Sequence, residues 1–451
     1  MEALKLSEIA KACGGEFNVD TEITAVAIDT RKIEKGCLFI CIKGERFDAH
    51  QFIEEAFEKG AAAVMICEDI KMDKPYVKVD DTAKQLLNLA GYYRSKFRIP
   101  IVALTGSVGK TTTKEFTHLV VNSKYNAIKT LGNLNNEIGL PQMLFMLDNN
   151  TEAAVIEMGM NHFGEIHRLS AAAKPTMGLI TNIGVSHIEN LGSREGILKA
   201  KLEILDGLEK GAPLLLNGDN DLLSTVKNDD YKIYFYAVDN DADFKAVDIK
   251  ENLNTTSFTV QYFGKEQKIT IPAIGIHNVY NALAAFAVGI LLDIEAEIAA
   301  AALKNYEPSG MRQKVVDVYG ITSIEDCYNA SPDSMKAGIT TLAGIKSGKK
   351  IAVLSDMLEL GDYSKQAHYD VGKMAAENKI DYLLCVGNNA EYIVDGAKDN
   401  GLKNAYLFDS KQSLTDKLFE ITQKGDAVLF KASRGMKLEE VISEIYKRWE
   451  S

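Results

Sequence analysis

Residues 101–113 read Ile-Val-Ala-Leu-Thr-Gly-Ser-Val-Gly-Lys-Thr-Thr-Thr, and no other segment restricts the fold so tightly. The apolar start predicts a buried strand, the glycines a tight loop, and the continuation a helix. Gly106 and Gly109 let the backbone take positive φ and wrap an anion without a Cβ in the way. The N–H groups of Ser107 and Val108 and the helix N-terminus direct positive potential at one point, as a phosphate requires. Lys110 then reaches the outer oxygens of a triphosphate, and Thr111 or Thr112 offers a hydroxyl to its Mg²⁺. In the common form of this loop the first glycine would stand at position 104, which is Leu104. Here it is Gly106, so the loop is shorter.

The rest of the chain falls into three zones. Residues 1–82 hold short strands at 25–28, 37–42 and 62–66, with a helix over 51–59 ending at Gly60. A helical stretch over 82–97 leads to Pro100 and reads as a connector. Residues 83–308 continue from the loop with apolar runs at 153–156, 178–181 and 214–216, separated by helical patterns. Such alternation predicts a parallel sheet. Residues 232–272 alternate as strands with few helical signals, which predicts an antiparallel flap, and an Ala-rich helix follows over 278–292. Residues 309–451 alternate strands at 351–354, 382–386 and 427–430 with helices near 364–378, 390–400 and 413–424. The expected architecture is α/β in three domains: a small N-terminal α/β unit, a central parallel sheet with a phosphate loop, and a C-terminal Rossmann-like unit.

A net charge of −12 argues against a general nucleic-acid binder, which needs a basic face. No apolar run approaches the ~20 residues that span a bilayer, and residues 1–16 lack the pattern of a secretion signal. A cytoplasmic enzyme is expected. The six cysteines are scattered without metal-ligand spacing. Cys37 and Cys41 alternate onto one strand face and read as buried thiols, so neither disulfide nor zinc is expected.

A triphosphate needs a divalent cation, and that cation needs oxygen ligands. The strand at 153–156 ends in Glu157, and a carboxylate at the C-terminal end of a parallel strand faces the ligand crevice. The next apolar run leads into Thr-Asn-Ile-Gly-Val-Ser-His at 181–187. His187 is then either a second metal ligand through a neutral imidazole nitrogen or a structural hydrogen-bonding group. Lys201 follows in a helical pattern. Spacing alone leaves it a surface lysine; a deprotonated amine there would take up CO₂, and the carbamate would ligate metal as a long carboxylate.

Together these segments resemble the Mur ligases, which extend the peptide of the bacterial cell-wall precursor. The likeness runs over nearly the whole chain. It rests on the loop at 106–112, Thr-Leu-Gly-Asn-Leu-Asn-Asn-Glu-Ile-Gly-Leu-Pro at 130–141 and Glu-Met-Gly-Met at 157–160. It continues through 181–187, Gly-Ile-His-Asn-Val-Tyr-Asn at 275–281 and Asp-Cys-Tyr-Asn-Ala-Ser-Pro-Asp-Ser-Met at 326–335. Segments 130–141 and 326–335 look most like the branch that joins D-alanyl-D-alanine to UDP-N-acetylmuramoyl-tripeptide. Two small departures stand out: Ser331 where an Asn or similar polar residue is expected, and Ala432 where Gly is expected.

The resemblance implies roles. Lys110 and Thr111 handle the triphosphate, and Thr111 or Thr112 the first Mg²⁺. Glu157, His187 and a carbamylated Lys201 take metal, the carbamate drawn from CO₂. Asn278 and Asn281 meet the adenine of ATP, and Arg312 and Asp326 reach the nucleotide from the C-terminal domain as it closes. Asn133, Asn135 and Asn136 contact substrate, as do Tyr328, Asn329, Ser433 and Arg434. Thr30 and Arg31, with the stretch from Gly44 to Asp48, cradle the UDP-sugar. The implied chemistry is ATP-driven amide-bond formation through an acyl phosphate, by a monomer. The rivals are an amino-acid-adding Mur step, a folylpolyglutamate synthase, and a P-loop NTPase switch without ligase activity.

Overall fold

The computed structural model describes residues 1–44, 47–252, 254–308 and 310–450. Glu45 and Arg46, inside the expected UDP-sugar cradle, lie outside the described residues, as do Ser309 and Ser451 at the ends of the third zone.

The N-terminal zone carries a five-stranded sheet in the order Glu16–Phe17, Tyr76–Lys78, Ala63–Ile66, Cys37–Ile40, Ala25–Ala27. Only the Glu16–Phe17 edge is antiparallel. Cys37 and Cys41 lie in one apolar cluster on this sheet, and all six cysteines are free thiols.

The stretch expected to be a connector is a packed helix, Thr82–Arg94, capped by Asp81, whose carboxylate accepts from the N–H groups of Ala83 and Lys84. Its apolar residues point two ways. The Tyr93 hydroxyl, fully buried, donates to Leu147 O at 2.6 Å and accepts from Glu2 N–H. Arg94 Nε donates to Ala173 O at 2.9 Å. One apolar cluster therefore runs from Leu4 and Ile9 through Leu86 and Tyr93 to Leu140 and Leu169. A helix with apolar residues on opposing sides glues its neighbours, which a connector does not.

The central sheet has nine strands, with Ile101–Thr105 between Met177–Ile180 and Ala153–Glu157, both parallel to it. In this register Glu157 lies opposite Leu104, and Ile180 opposite Thr105. Three chain reversals thus leave the sheet side by side at one edge, where parallel α/β sheets bind ligands. The antiparallel segment is Phe244–Glu251, Thr256–Tyr262 and Lys265–Ile271, and it extends this same sheet. Its predecessor Lys232–Ala237 pairs parallel on both sides. Alternating residues Phe258, Val260 and Tyr262 are buried in one cluster with the Ala-rich helix Ile276–Leu291. Small side chains let that helix pack close to the loop helix Lys110–Asn122.

The C-terminal sheet runs Lys314–Val318, Ile321–Asp326, Ala427–Lys431, Lys350–Ser355, Tyr382–Val386, Ala405–Phe408. All pairings but the first are parallel. The opening hairpin and the edge strand Ala405–Phe408 had no clear sequence signal, because edge strands bury few residues and mix polar with apolar.

Candidate functional site

The loop folds as its glycines require. Gly109 has φ +84°, and a Cβ there would lie 2.8 Å from Asn281 Oδ1. A Cβ on Gly106 would lie 1.8 Å from Thr181 Oγ1. The loop is braced from the neighbouring strand: Val108 N–H donates to Asn182 Oδ1 at 2.8 Å, Thr181 Oγ1 donates to Val108 O at 2.6 Å, and Gly184 N–H donates to Ser107 Oγ at 3.0 Å. Lys110 Nζ folds back over the loop and donates to Gly106 O at 2.7 Å. Bracing of this kind holds the backbone donors in place before an anion arrives, so little reorganisation is needed.

Beside the loop, Thr111 Oγ1 donates to Glu157 Oε2 at 2.9 Å and Asn135 Nδ2 donates to Glu157 Oε1 at 2.8 Å. Glu157 is 2% exposed, and its own N–H donates to Thr130 Oγ1. Of the two hydroxyls left open by the sequence, Thr111 is the one joined to this carboxylate. Thr112, Asn133 and Asn136 line the same cleft.

His187 lines it too, with φ +63° at the start of the short helix Ile188–Leu191. Burial, then the charges of Lys110 and Lys201, push its pKa down to about 4, so the imidazole is neutral. Its Nδ1 is buried without a hydrogen bond; Glu359 Oε2 lies 3.0 Å away, off the line a hydrogen bond needs. Lys201 sits behind the lining, 2% exposed in the helix Arg194–Leu202, so it is not a surface lysine. Its ammonium has no hydrogen-bond or ion-pair partner among the described residues. Burial and the charge of Lys110 hold its pKa well below the usual lysine range.

On the far side, Asn281 Oδ1 accepts from Thr113 Oγ1 at 2.9 Å, and Asn278 Nδ2 donates to Ile274 O at 2.8 Å. The C-terminal sheet closes the cleft. Arg312 stacks on the Tyr328 ring at 3.8 Å, and Asp326 accepts from Lys431 Nζ at 2.6 Å. Asn329 joins them in lining a cavity of about 470 Å³ that also takes in Ser107, Val108 and Lys110. Ser331, at the departure from the family pattern, caps the helix Pro332–Gly344 and completes a reciprocal capping box with Ser334.

The structure also brings in residues that sequence reasoning missed. His277, Gln313, Asp333 and Lys431 line the cavity. His277 and Asp333 stand in the segments 275–281 and 326–335 already singled out and were legible there; Lys431 adjoins the departure at Ala432, and Gln313 carries no local signal.

Four expected substrate contacts lie elsewhere, around the N-terminal sheet. Arg31 is exposed and paired with Asp29, Thr30 opens the same short turn, and Asp48 accepts from His50 N–H and faces its Nδ1 at 2.6 Å. Gly44 N–H donates to Phe47 O. Ser433 and Arg434 do not reach the cavity. Ser433, 2% exposed, accepts from Leu358 N–H at 3.0 Å, and Arg434 pairs with Glu439 at the surface. Both side chains leave the C-terminal end of a strand but turn to the neighbouring loop and helix.

A braced phosphate loop, a buried carboxylate–hydroxyl edge and a third sheet closing over both define a nucleotide-dependent P-loop enzyme. The Mur ligase middle domain matches residues 104–289, the Mur ligase glutamate ligase domain 311–434, and the Mur ligase family catalytic domain 22–102. The UDP-N-acetylmuramoyl-tripeptide–D-alanyl-D-alanine ligase of Bacillus subtilis (strain 168) is 43% identical over 433 residues, covering 94% of this chain and 93% of that protein. A crystal structure of MurF from Acinetobacter baumannii superposes with a TM-score of 0.94 at 29% identity, over 99% of both chains. MurF ligase from Thermotoga maritima in complex with ADP gives 0.86 at 28% identity, over 94% of this chain and 98% of that one. The chain belongs to the Mur ligase family, ATP-dependent ligases that form amide bonds. No helix among the described residues is long and apolar enough to cross a membrane.

Proposed function

We propose that the protein joins D-alanyl-D-alanine to UDP-N-acetylmuramoyl-tripeptide at the expense of ATP, through an acyl phosphate. The observation that carries this reading is the single cleft shared by the loop, the Thr111–Glu157–Asn135 edge and Arg312. The named relative of Bacillus subtilis supplies the substrate pair.

A carboxylate resists amine attack because oxide is a poor leaving group. Phosphoryl transfer from ATP makes phosphate the leaving group instead, and such transfer depends on positioning and charge neutralisation. Lys110 leaves Gly106 O for the outer phosphate oxygens and offsets their repulsion of the incoming carboxylate. Arg312, held flat by Tyr328, adds charge from the opposite wall. Asn278 and Asn281 border the base, with Asp326 beside the nucleotide. The dipeptide amine then attacks the acyl carbon and phosphate departs. Closure of the third sheet keeps water from the acyl phosphate.

Thr111 Oγ1 and the Glu157 carboxylate form an oxygen donor set suited to Mg²⁺, with His187 neutral nearby. When bound, Mg²⁺ neutralises charge on the phosphates. Lys201 fits a carbamate: its amine is depressed towards the neutral nucleophilic form, which bonds to the carbon of CO₂ with loss of one proton. Thr30, Arg31, Gly44 and Asp48 hold the UDP-sugar, and Asn133, Asn135 and Asn136 the peptide end. Residues 1–82, 83–308 and 309–451 are the three domains of a cytoplasmic monomer, of which the last closes on the nucleotide.

The test mixes protein, Mg-ATP, UDP-N-acetylmuramoyl-tripeptide and D-alanyl-D-alanine and follows phosphate. Release that needs both acceptors is the expected outcome. Release without them would make the protein an NTPase switch.

A further inference from the structure

One loop of the C-terminal sheet is braced at every step and aimed at the central sheet. Asp356, 2% exposed, accepts from the N–H groups of Asn388 and Asn389. Met357 N–H donates to His368 Nε2 at 2.9 Å, and Leu358 N–H to Ser433 Oγ at 3.0 Å. Three consecutive residues are thereby pinned to their own sheet. The next, Glu359, takes φ +63°, the left-handed region that L-residues rarely adopt. It points out of the loop, its side chain 63% exposed, with Oε2 3.0 Å from His187 Nδ1. Two residues on, Gly361 stands where a Cβ would come 3.1 Å from Glu189 Cγ. Val185 packs against the core of the C-terminal sheet, so this seam has an apolar base.

His187 Nδ1 is a buried nitrogen without a hydrogen bond. A small rotation of Glu359, whose side chain is free to move, supplies the missing acceptor. A buried imidazole nitrogen left unpaired carries a desolvation penalty, which favours that rotation. With the proton held on Nδ1, the lone pair stands on Nε2.

We propose that Glu359 is a positioning residue: delivered by its braced loop as the C-terminal sheet closes, it accepts the Nδ1–H of His187 and so presents Nε2 as the ligating nitrogen. The assignment rests on reading His187 as a metal ligand and adds that its geometry is complete only across the closed seam. Carboxylate partners of ligating histidines fix tautomer and ring orientation, and their loss commonly lowers affinity or activity about 10–100-fold.

The experiment labels the histidines with ¹⁵N and reads the His187 tautomer by NMR with a non-hydrolysable ATP analogue bound; the signal is assigned by its loss in His187→Asn. The native protein should show Nδ1–H. Glu359→Ala should lose that preference, lower kcat about 10–100-fold and raise the Mg²⁺ concentration for half-maximal rate, with KM for D-alanyl-D-alanine unchanged. Glu359→Gln keeps an acceptor oxygen and should retain most of the rate. An Nε2–H tautomer in the native protein, an unchanged Glu359→Ala, or equal losses in both variants would overturn the assignment. Failure of the native protein to ligate at all would remove the substrate reading instead, and leaves the tautomer measurement standing.

Discussion

Thr111 Oγ1 and Glu157 Oε2 are joined by a 2.9 Å hydrogen bond, although 46 residues separate them in the chain. The bond follows from parallel register: Glu157 lies opposite Leu104, so the carboxylate leaves the sheet beside the first turn of the loop helix. Hydroxyl and carboxylate are thus preset at a cation's distance from the loop.

Glu157→Gln should therefore fold normally, since its amide still accepts from Thr111. It loses the charge proposed above to hold a divalent cation. Turnover is expected to fall about 100-fold or more, the scale of removing one preorganised electrostatic group. Calorimetry of nucleotide binding with and without Mg²⁺ should show that the variant has lost the Mg²⁺ dependence.

On the carbamate reading, Lys201→Ala should be nearly inactive, because the buried side chain that would carry the anion is gone. Short carboxylic acids small enough to enter that space should restore part of the rate. Full activity without added acid would remove the carbamate.

Gly109→Ala forces an L-residue to φ +84° and drives its Cβ to 2.8 Å from Asn281 Oδ1. The strain should cost about 1–3 kcal/mol and displace Asn281. Thermal melts and ATP titration together check this: both stability and affinity should fall, whereas a surface glycine such as Gly211, with nothing near its Cβ, should change affinity little.

Stability should decline on acidification between about pH 6.5 and 4. His187 and His277 are each held down to about 4 by burial, against an ordinary 6.5. In that window the unfolded chain binds protons that the folded chain does not. The stabilisation is full above 6.5 and is lost as pH falls, by roughly 3 kcal/mol per histidine. Urea titrations across the window should show a shallower slope for His277→Asn.

Small-angle scattering should show compaction when ATP analogue and UDP-N-acetylmuramoyl-tripeptide are added together. The seam is tight: a Cβ on Gly184 would lie 2.1 Å from Asp333 Oδ2, so Gly184→Val should hold the protein open and abolish the change.

The phosphate loop was legible because it is contiguous; an apolar strand, two glycines and a helix start suffice to make a nest of N–H donors wherever they occur. Glu157 and His187 were legible for a related reason, as each follows an apolar run whose end must reach the same sheet edge. The parallel α/β character of the two larger sheets was legible from alternation, while the hairpin Lys314–Val318 and Ile321–Asp326 was not, its opening strand mixing polar and apolar residues at the sheet edge.

Ser433 and Lys201 mark the limit. Both are polar residues in unremarkable local surroundings, and only packing between distant segments makes one a bracket for Leu358 and the other a buried amine. Local sequence determined the strand–loop–helix and the acids at strand ends, since those depend on backbone preferences and hydrophobic period. Tertiary structure alone decided which nitrogen of His187 meets Glu359, how Asp326 is spent on Lys431, and that Tyr93 ties Glu2 near the N-terminus to Leu147 of the central domain. Such contacts arise between residues far apart in the chain, where geometry and desolvation, rather than any neighbouring residue, set the chemistry.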